Sequence, residues 1–324
     1  LPPPTHPSLF QDAGIAKRME SHIGDIRDRQ PLLKVMRAFK PQILFHLAAQ
    51  PLVRRSYDQP VETFETNVLG TVNVLEAARS VKSLRVVVNV TTDKVYENTG
   101  KRQGYDERDR LGGRDPYSNS KACSELVTTS YLHSFFAEHT GPKRVSVATA
   151  RSGNVIGGGD WAEDRLIPDI ARAYQSKRKV CIRNPESVRP WQHVLEPLNG
   201  YVQLAEHLWA RSPGVEGAWN FGPSDRSAKS VSWILGQLSR WWPGHPGWCR
   251  DTRAHPHEEK RLTLKNTKAR RTLGWQSILP ASDALNWTLS WYQAYLEGQP
   301  ASRLVEKQVI DYERKLNQKR SPYD

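Results

Sequence analysis

Tyr117 and Lys121 stand four positions apart in the run Asp115-Pro116-Tyr117-Ser118-Asn119-Ser120-Lys121. Pro116 suits the first turn of a helix, so the phenol and the ammonium fall on one face of it. A nearby cation lowers a phenol pKa. A tyrosine held partly as phenolate near neutrality can take a proton from an alcohol while a nicotinamide ring accepts the hydride from the same carbon. Such a pair also occurs on ordinary solvated helices, and its weight comes from a second segment. The apolar run 84–90 reads as a buried strand that delivers Thr91-Thr92-Asp93-Lys94 to its end, where ligands of open α/β sheets bind.

The elements that must position these residues alternate. Residues 31–39 have helical spacing and 43–49 read as a strand; Val61, Phe64, Val68, Val72 and Leu75 then recur at helical intervals up to Ala78. A strand at 84–90, a helix at 117–136 and a strand at 145–150, ending at Arg151-Ser152-Gly153-Asn154, complete the series. Alternation of this kind predicts an α/β fold, a Rossmann-like doubly wound parallel sheet with right-handed crossovers. Beyond Asn154 the texture changes. Gly157-Gly158-Gly159 forms a loop, prolines recur at 168, 185, 190 and 197, and helices are expected at 233–242 and 281–296. The expected division is therefore a dinucleotide-binding half over 1–154 and a smaller mixed α/β lobe over 155–324, with segments near 188–222 returning to the first half.

With 324 residues the chain can bury a sizeable core. Its net charge of +13 draws phosphates of any kind, but the Lys and Arg are dispersed and no nucleic-acid-binding motif accompanies them. A solvated basic surface is the reading, with neither a nucleic-acid partner nor a membrane partner: no apolar run approaches the roughly 20 residues a membrane helix requires. The beginning, Leu1-Pro2-Pro3-Pro4, lacks the pattern of a secretory signal. Cys123, Cys181 and Cys249 are odd in number, without metal-ligand spacing, and read as buried or incidental thiols in a reducing, cytoplasmic setting. No metal site is expected. The eleven tryptophans are expected to pack core and lobe, and His46, inside an apolar strand, reads as a satisfied core histidine.

The chain resembles the extended short-chain dehydrogenases/reductases that act on nucleotide sugars and, more narrowly, the CDP-glucose 4,6-dehydratases. The resemblance runs through Gly24-Asp25-Ile26-Arg27-Asp28, His46-Leu47-Ala48-Ala49-Gln50-Pro51, Thr66-Asn67-Val68-Leu69-Gly70-Thr71, the two segments above, Gly153-Asn154-Val155-Ile156-Gly157-Gly158-Gly159-Asp160-Trp161 and Arg189-Pro190-Trp191-Gln192-His193-Val194. Related dehydratases carry Thr-Asp-Glu where this chain has Thr92-Asp93-Lys94, the form the CDP-glucose enzymes share. The resemblance implies an NAD-dependent hydro-lyase of deoxysugar biosynthesis: oxidation at C4, loss of water across C5 and C6, return of hydride to C6. Another nucleotide-sugar 4,6-dehydratase, an epimerase or an inactive fragment of such an enzyme are the alternatives.

Residue by residue, the resemblance makes Tyr117 the base toward the 4-hydroxyl. Lys121 lowers its pKa and bonds the nicotinamide ribose, and Thr92 hydrogen-bonds the same sugar oxygen. Asp93 is the acid for the departing 6-hydroxyl, and Lys94 serves the C5 step as base or as stabiliser of the enolate. Asp25 and Ile26 flank the adenine, Ala48, Ala49 and Gln50 line the ribose and phosphate path, and Thr66 holds the nicotinamide side. Asn154, Arg165, Leu166, Arg189 and His257 bind the substrate. Helices 61–78 and 117–136 form the seam of a homodimer. The family opens with a strand and a glycine-rich turn that hold the pyrophosphate, and this sequence has no such element. The expectation is that one central strand, a helix and most of a second strand lie ahead of Leu1, and that the 324 residues alone neither bind NAD tightly nor cover their sheet edge.

Overall fold

The structure, a computed structural model, describes residues 2–101, 103–136, 144–224, 227–253 and 262–320. Its centre is a parallel sheet of four strands, Ile43–His46 (β1), Val86–Val90 (β2), Ser146–Arg151 (β3) and Gly217–Asn220 (β4), in the order β1-β2-β3-β4. Ile43 lies opposite Val86, Val86 opposite Ser146, and Ala148 opposite Gly217, so all four carboxyl ends point the same way. Side chains alternate between the two faces of a strand, and both faces here are apolar. Val87 and Val147 meet Met36, Leu75, Leu132 and Phe136 on one face. Val86, Val88, Ala148 and Ala150 meet Leu204, Leu208, Trp219, Phe221 and Trp275 on the other. Burying each such large side chain contributes about 1.5–3 kcal/mol.

Helix α1 (Arg29–Phe39) and the 60–79 segment (α2) cover the first face together with Pro116–Tyr131 (α3), which runs on as a π-turn over Leu132–Phe136. Asp115 caps α3 by accepting from the Ser118 amide at 2.9 Å, with Pro116 in the first turn as expected. α2 is not one regular helix. Pro60–Phe64 and Gly70–Arg79 flank a π-helical turn over Glu65–Leu69, and its Asn67 reaches out of the helix to hold the chain after β1. The Asn67 side-chain amide donates to the Gln50 carbonyl (3.1 Å) and to Ser120 Oγ (2.9 Å), and its oxygen accepts from the Gln50 amide (2.8 Å). Bulges of this kind recur at functional sites. Below them Thr71, Ser124, Asn89 and Thr128 form a buried hydroxyl and amide seam between α2, α3 and β2.

β1 is shorter than expected, ending at His46, because residues 47–50 turn away to be held by Asn67. It is also an edge of the described sheet, and Ile43 and Phe45 on it and Leu47 just beyond it are exposed. β4 and helix Leu195–Trp209 (α5) lie far along the sequence yet belong to the sheet: β4 pairs with β3, and Leu204 and Leu208 pack on β2 and β3.

The second lobe is built on Leu166–Gln175 (α4), Val231–Trp241 (α6), Ala281–Leu296 (α7) and Ala301–Arg320 (α8), with short two-stranded ribbons between them. Its core gathers Ile167, Ile170, Trp191, Ile234, Leu238, Trp242, Leu285, Trp291 and Tyr292. Ala13, with Leu9 and Ile15, packs into this second cluster and not against the sheet. Trp219, Trp242, Trp275 and Trp291 are fully buried, as packing residues should be. Among the described residues, no helix is long and apolar enough to cross a membrane.

Candidate active site

The carboxyl ends of β2 and β3 open into a cleft of about 700 Å³ between the two lobes' elements, lined by Thr92, Lys94, Tyr117, Asn154, Arg165 and Arg189 among others. Each arrives there for a local reason. β2 ends at Val90, the Thr91 amide still bonds the Ala150 carbonyl at 2.8 Å, and Thr92 then caps a single 3-10 turn by accepting from the Lys94 amide at 3.4 Å. The turn's tight repeat sends Thr92 and Lys94 toward the cleft and Asp93 inward, where its amide bonds the Ser152 carbonyl at 3.0 Å. Asn154 holds a left-handed backbone conformation (φ 48°) that asparagine tolerates, and its buried Oδ1 has no partner among the described residues.

The site is layered. Tyr117 and Lys94 line the cleft, whereas Asp93 and Lys121 lie behind it. The Asp93 carboxylate is fully buried; its Oδ1 accepts from Thr92 Oγ1 (3.1 Å) and Lys94 Nζ (3.3 Å). Asp93 and Lys94 thus form an ion pair whose carboxylate is buried and whose ammonium is not. Asp93 Oδ2 lies against Gly153, where an added Cβ would sit 1.9 Å from it, so only glycine fits beside the carboxylate. Asp93 does not reach the cleft surface in this arrangement, which departs from its expected place beside the 6-hydroxyl.

The second correction concerns the Tyr117–Lys121 pair. Lys121 Nζ donates to the Val90 carbonyl at 2.8 Å, and burial brings its pKa down to about 8 against an opposing pull from Glu125. The Tyr117 phenol is not lowered. Burial pushes it above the ordinary tyrosine value, and the cations that work against that burial are Lys94 and then Arg165, with Thr92 hydrogen-bonding the phenol. Helical spacing puts Tyr117 and Lys121 on one face, but the ammonium reaches the backbone carbonyl first. Lys94, two residues beyond Thr92, is the first of the cations acting on the phenol.

Behind this layer lies a buried network that motif reading did not assign. Glu125 accepts from Arg151 Nε (2.9 Å) and Nη2 (3.0 Å), from Thr91 Oγ1 (2.5 Å) and from Thr149 Oγ1 (2.5 Å). Arg151 Nη1 continues to the Tyr96 hydroxyl at 2.6 Å, which donates to Asn220 Oδ1 at 2.8 Å. Glu125 is four residues past Lys121, and that helical interval is the one signal that pointed to it. Arg183, which pairs with Asp164 at 2.9 Å on the cleft wall, had no local signal at all.

The residues expected to hold a dinucleotide gather elsewhere, at the carboxyl end of β1. Asp25 is half-buried and its carboxylate, held low by hydrogen bonds from Arg27, is clamped by that guanidinium at 2.6 Å. Ile26 packs beneath Gly70, and Asn73 donates to the Ile26 carbonyl at 3.0 Å. Ala48 is exposed, Ala49 and Thr66 half-buried, Gln50 buried. None of the six lines the 700 Å³ cleft. On the substrate side, Arg165 pairs with Asp160 at 3.1 Å just before α4 begins at Leu166, and Arg189 donates to the Val188 carbonyl at 3.1 Å. His257 lies outside the described residues. His46 is a core histidine: buried, 3.2 Å from Thr71 Oγ1, with its pKa driven down to about 3 by desolvation.

Residues 7–211 match the family described as GDP-mannose 4,6 dehydratase. The chain belongs to that family, a branch of the extended short-chain dehydrogenases/reductases. A CDP-glucose 4,6-dehydratase from Salmonella typhimurium is 46% identical over 313 residues, 96% of this chain and 87% of that protein. Among solved structures, a UDP-glucose 4-epimerase from Thermotoga maritima superposes with a TM-score of 0.74 at 19% identity, covering 85% of this chain and 84% of that one. A dTDP-glucose 4,6-dehydratase from Streptomyces venezuelae, solved with NAD bound, superposes at 0.69 with 24% identity over 83% and 78% of the two chains. These structures share the fold, as the parallel sheet and its helices require.

Proposed function

We propose that this chain is an NAD-dependent hydro-lyase that converts CDP-glucose to CDP-4-keto-6-deoxyglucose. The observation that carries the reading is the convergence of Thr92, Lys94 and Tyr117 on one cleft, in a chain 46% identical to a CDP-glucose 4,6-dehydratase over 96% of its length. In this reading Tyr117 takes the proton of the sugar 4-hydroxyl, with Thr92 on the same oxygen and Lys94 stabilising the phenolate. NAD, when bound, supplies the hydride acceptor and donor that no side chain here provides. Asp25, Ile26, Ala48, Ala49, Gln50, Thr66, Tyr117 and Lys121 would hold it. The set fits its ends: Asp25 and Ile26 to flank the adenine, small residues where backbone must come close, and an ammonium on the helical face of the tyrosine.

The 4-keto group acidifies the C5 proton, so elimination across C5 and C6 asks for modest acid–base help. Lys94, paired with Asp93, is read as the cation that stabilises the enolate, while Asp93 orients Lys94 and Thr92 from behind. Protonation of the departing 6-hydroxyl by Asp93 itself requires the turn to shift. Arg165 and Leu166 at the start of α4, Asn154 and Arg189 are read as the contacts of the sugar and diphosphate, for which guanidinium forks are suited; His257 is kept as a fifth candidate. Residues 1–154 and 155–324 are read as the cofactor and substrate halves, with 188–222 returning to the first.

A homodimer in the cytoplasm completes the reading. What supports the dimer is an apolar groove on α2 and α3: Val61, Leu69 and Leu126 are 69%, 56% and 60% exposed, and Pro60, Phe64 and Val68 line the same depression. The deciding experiment incubates the protein and NAD with CDP-, dTDP-, UDP- and GDP-hexoses and follows 4-keto product. A 4-keto-6-deoxy product from CDP-glucose, lost in Tyr117→Phe, is expected. Conversion of UDP-glucose to UDP-galactose without a keto product, or an undiminished rate in the Phe variant, would overturn it.

A further inference from the structure

Two thiols that the sequence places 68 residues apart meet on the cleft wall. Strands Val180–Ile182 and Trp248–Arg250 form a parallel two-stranded ribbon in which Cys181 lies directly opposite Cys249. The two sulfurs are 2.7 Å apart. Cys181 is exposed and lines the cleft, Cys249 is half-buried, and Cys123 lies elsewhere, on α3. The expectation of buried or incidental thiols therefore fails for this pair. Neighbouring strands run roughly 4.8 Å apart, inside the Cα separation of about 4.4–6.8 Å that a disulfide spans, and residues in register project to the same face.

We propose that Cys181 and Cys249 are a redox modification site, forming a reversible intramolecular disulfide on reaction with small-molecule disulfides. One thiolate attacks the reagent's sulfur–sulfur bond, giving a mixed disulfide and releasing one reagent thiol; the second thiolate then displaces the other reagent thiol. In balance, the protein loses two protons and two electrons and the reagent is reduced to two thiols. The Cys249 sulfur raises the Cys181 pKa through their contact, and Arg253 pulls it the opposite way, so exchange runs faster at mildly alkaline pH than at neutrality.

The crosslink has a consequence for the cleft. The ribbon's ladder ends on the bond from the Asp251 amide to the Ile182 carbonyl at 2.9 Å, and the next residues, Arg183 and Asn184 on one strand and Asp251 and Arg253 on the other, all line the cleft. Arg183 is tied in turn to Asp164. A covalent bond between the strands fixes the spacing of these cleft-lining residues.

The test uses the reduced full chain, equilibrated with excess oxidised glutathione at mildly alkaline pH, then alkylated in denaturant. Alkylatable thiols are expected to fall from three to one, with an intact-mass loss of about 2 Da before alkylation, a crosslinked peptide pair carrying Cys181 and Cys249, and full reversal by dithiothreitol. Cys249→Ser is expected to stop at a stable glutathione adduct on Cys181. Three alkylatable thiols, glutathione adducts that persist on the unsubstituted protein, or a crosslink to Cys123 would overturn the site. Amide exchange at 180–182 and 248–250 should slow at least about ten-fold on oxidation; equal exchange in the two forms would overturn the stapling of the ribbon.

Discussion

Replacing Glu125 by Gln tests the layered architecture most sharply, because the side chain does not itself line the cleft. Glu125 and Arg151 are 3% and 4% exposed, so neither charge has water to fall back on. The carboxylate accepts four hydrogen bonds, two from Arg151 and one each from Thr91 and Thr149. Gln keeps the shape but removes the charge, and it turns an NH2 toward donors. Arg151 is left with the Tyr96 hydroxyl at 2.6 Å and a stretched contact of 3.5 Å to the Glu107 carbonyl. Breaking one partner of a buried pair costs about 3–5 kcal/mol, at least about a fifth of a total stability of roughly 5–15 kcal/mol.

Urea unfolding at neutral pH is the measurement for Glu125→Gln, Arg151→Met and the double variant Glu125→Leu/Arg151→Met. The two single variants are each expected to lose about 3–5 kcal/mol, and the double variant less than their sum, since it leaves no buried charge unpaired. Turnover should fall in Glu125→Gln as well, because Thr91 precedes Thr92 and loses its 2.5 Å anchor. Stability within about 1 kcal/mol of the parent, or strict additivity in the double variant, refutes the claim that this pair holds the strand end by charge.

Lys94→Gln removes the first of the cations that oppose burial of the Tyr117 phenol; turnover should fall by about 10²–10³-fold and its pH profile move toward higher pH, and a shift no larger than that of Lys121→Gln would contradict the assignment. Gly153→Ala puts a methyl 1.9 Å from Asp93 Oδ2, so the turn must move; a loss of about 1–3 kcal/mol and about 100-fold in rate is expected, and wild-type turnover would show that Asp93 is free to rearrange. His46 and His193 are held neutral by burial, with pKa values pushed down to about 3 and about 4. Between those values and about 6.5 the unfolded chain binds the extra protons, so stability is full above about 6.5 and falls as pH drops, by about 2 kcal/mol for each histidine at pH 5. Urea midpoints at pH 7 and 5 check this, and a His46→Asn variant that keeps the full pH dependence would exclude His46 as a source.

Much of the fold could be read because strand and helix periods are local. The run 84–90 contains β2, and 281–296 matches α7 to the residue, since alternation and amphipathic spacing are written in consecutive positions. What escaped depends on contacts far apart in sequence. The π-turn in α2 owes its form to Asn67 holding Gln50, and the place of Leu9 and Ala13 in the second lobe to α7 and Gly159. Charge partners escaped for the same reason. Tyr117 and Lys121 share a helical face, yet which cation governs the phenol was decided by the Val90 carbonyl and by a turn on another strand.

That outcome has a general form in this site. Thr92, Asp93 and Lys94 are consecutive, but a 3-10 turn cannot aim three neighbouring side chains into one cavity, so the middle one is sent to the rear. A buried carboxylate there needs an opening with no side chain, which Gly153 provides, and cationic or hydroxyl partners, which its own neighbours provide. The same logic recurs one layer deeper, where Glu125 faces Thr91 and Arg151 instead of the cleft. A motif of this kind therefore serves two purposes at once: groups that line the cleft and the buried charge that holds them still. The Lys94 ammonium lies 3.3 Å from the Asp93 carboxylate, so the third residue of the turn supplies the counter-charge that the second, buried one requires.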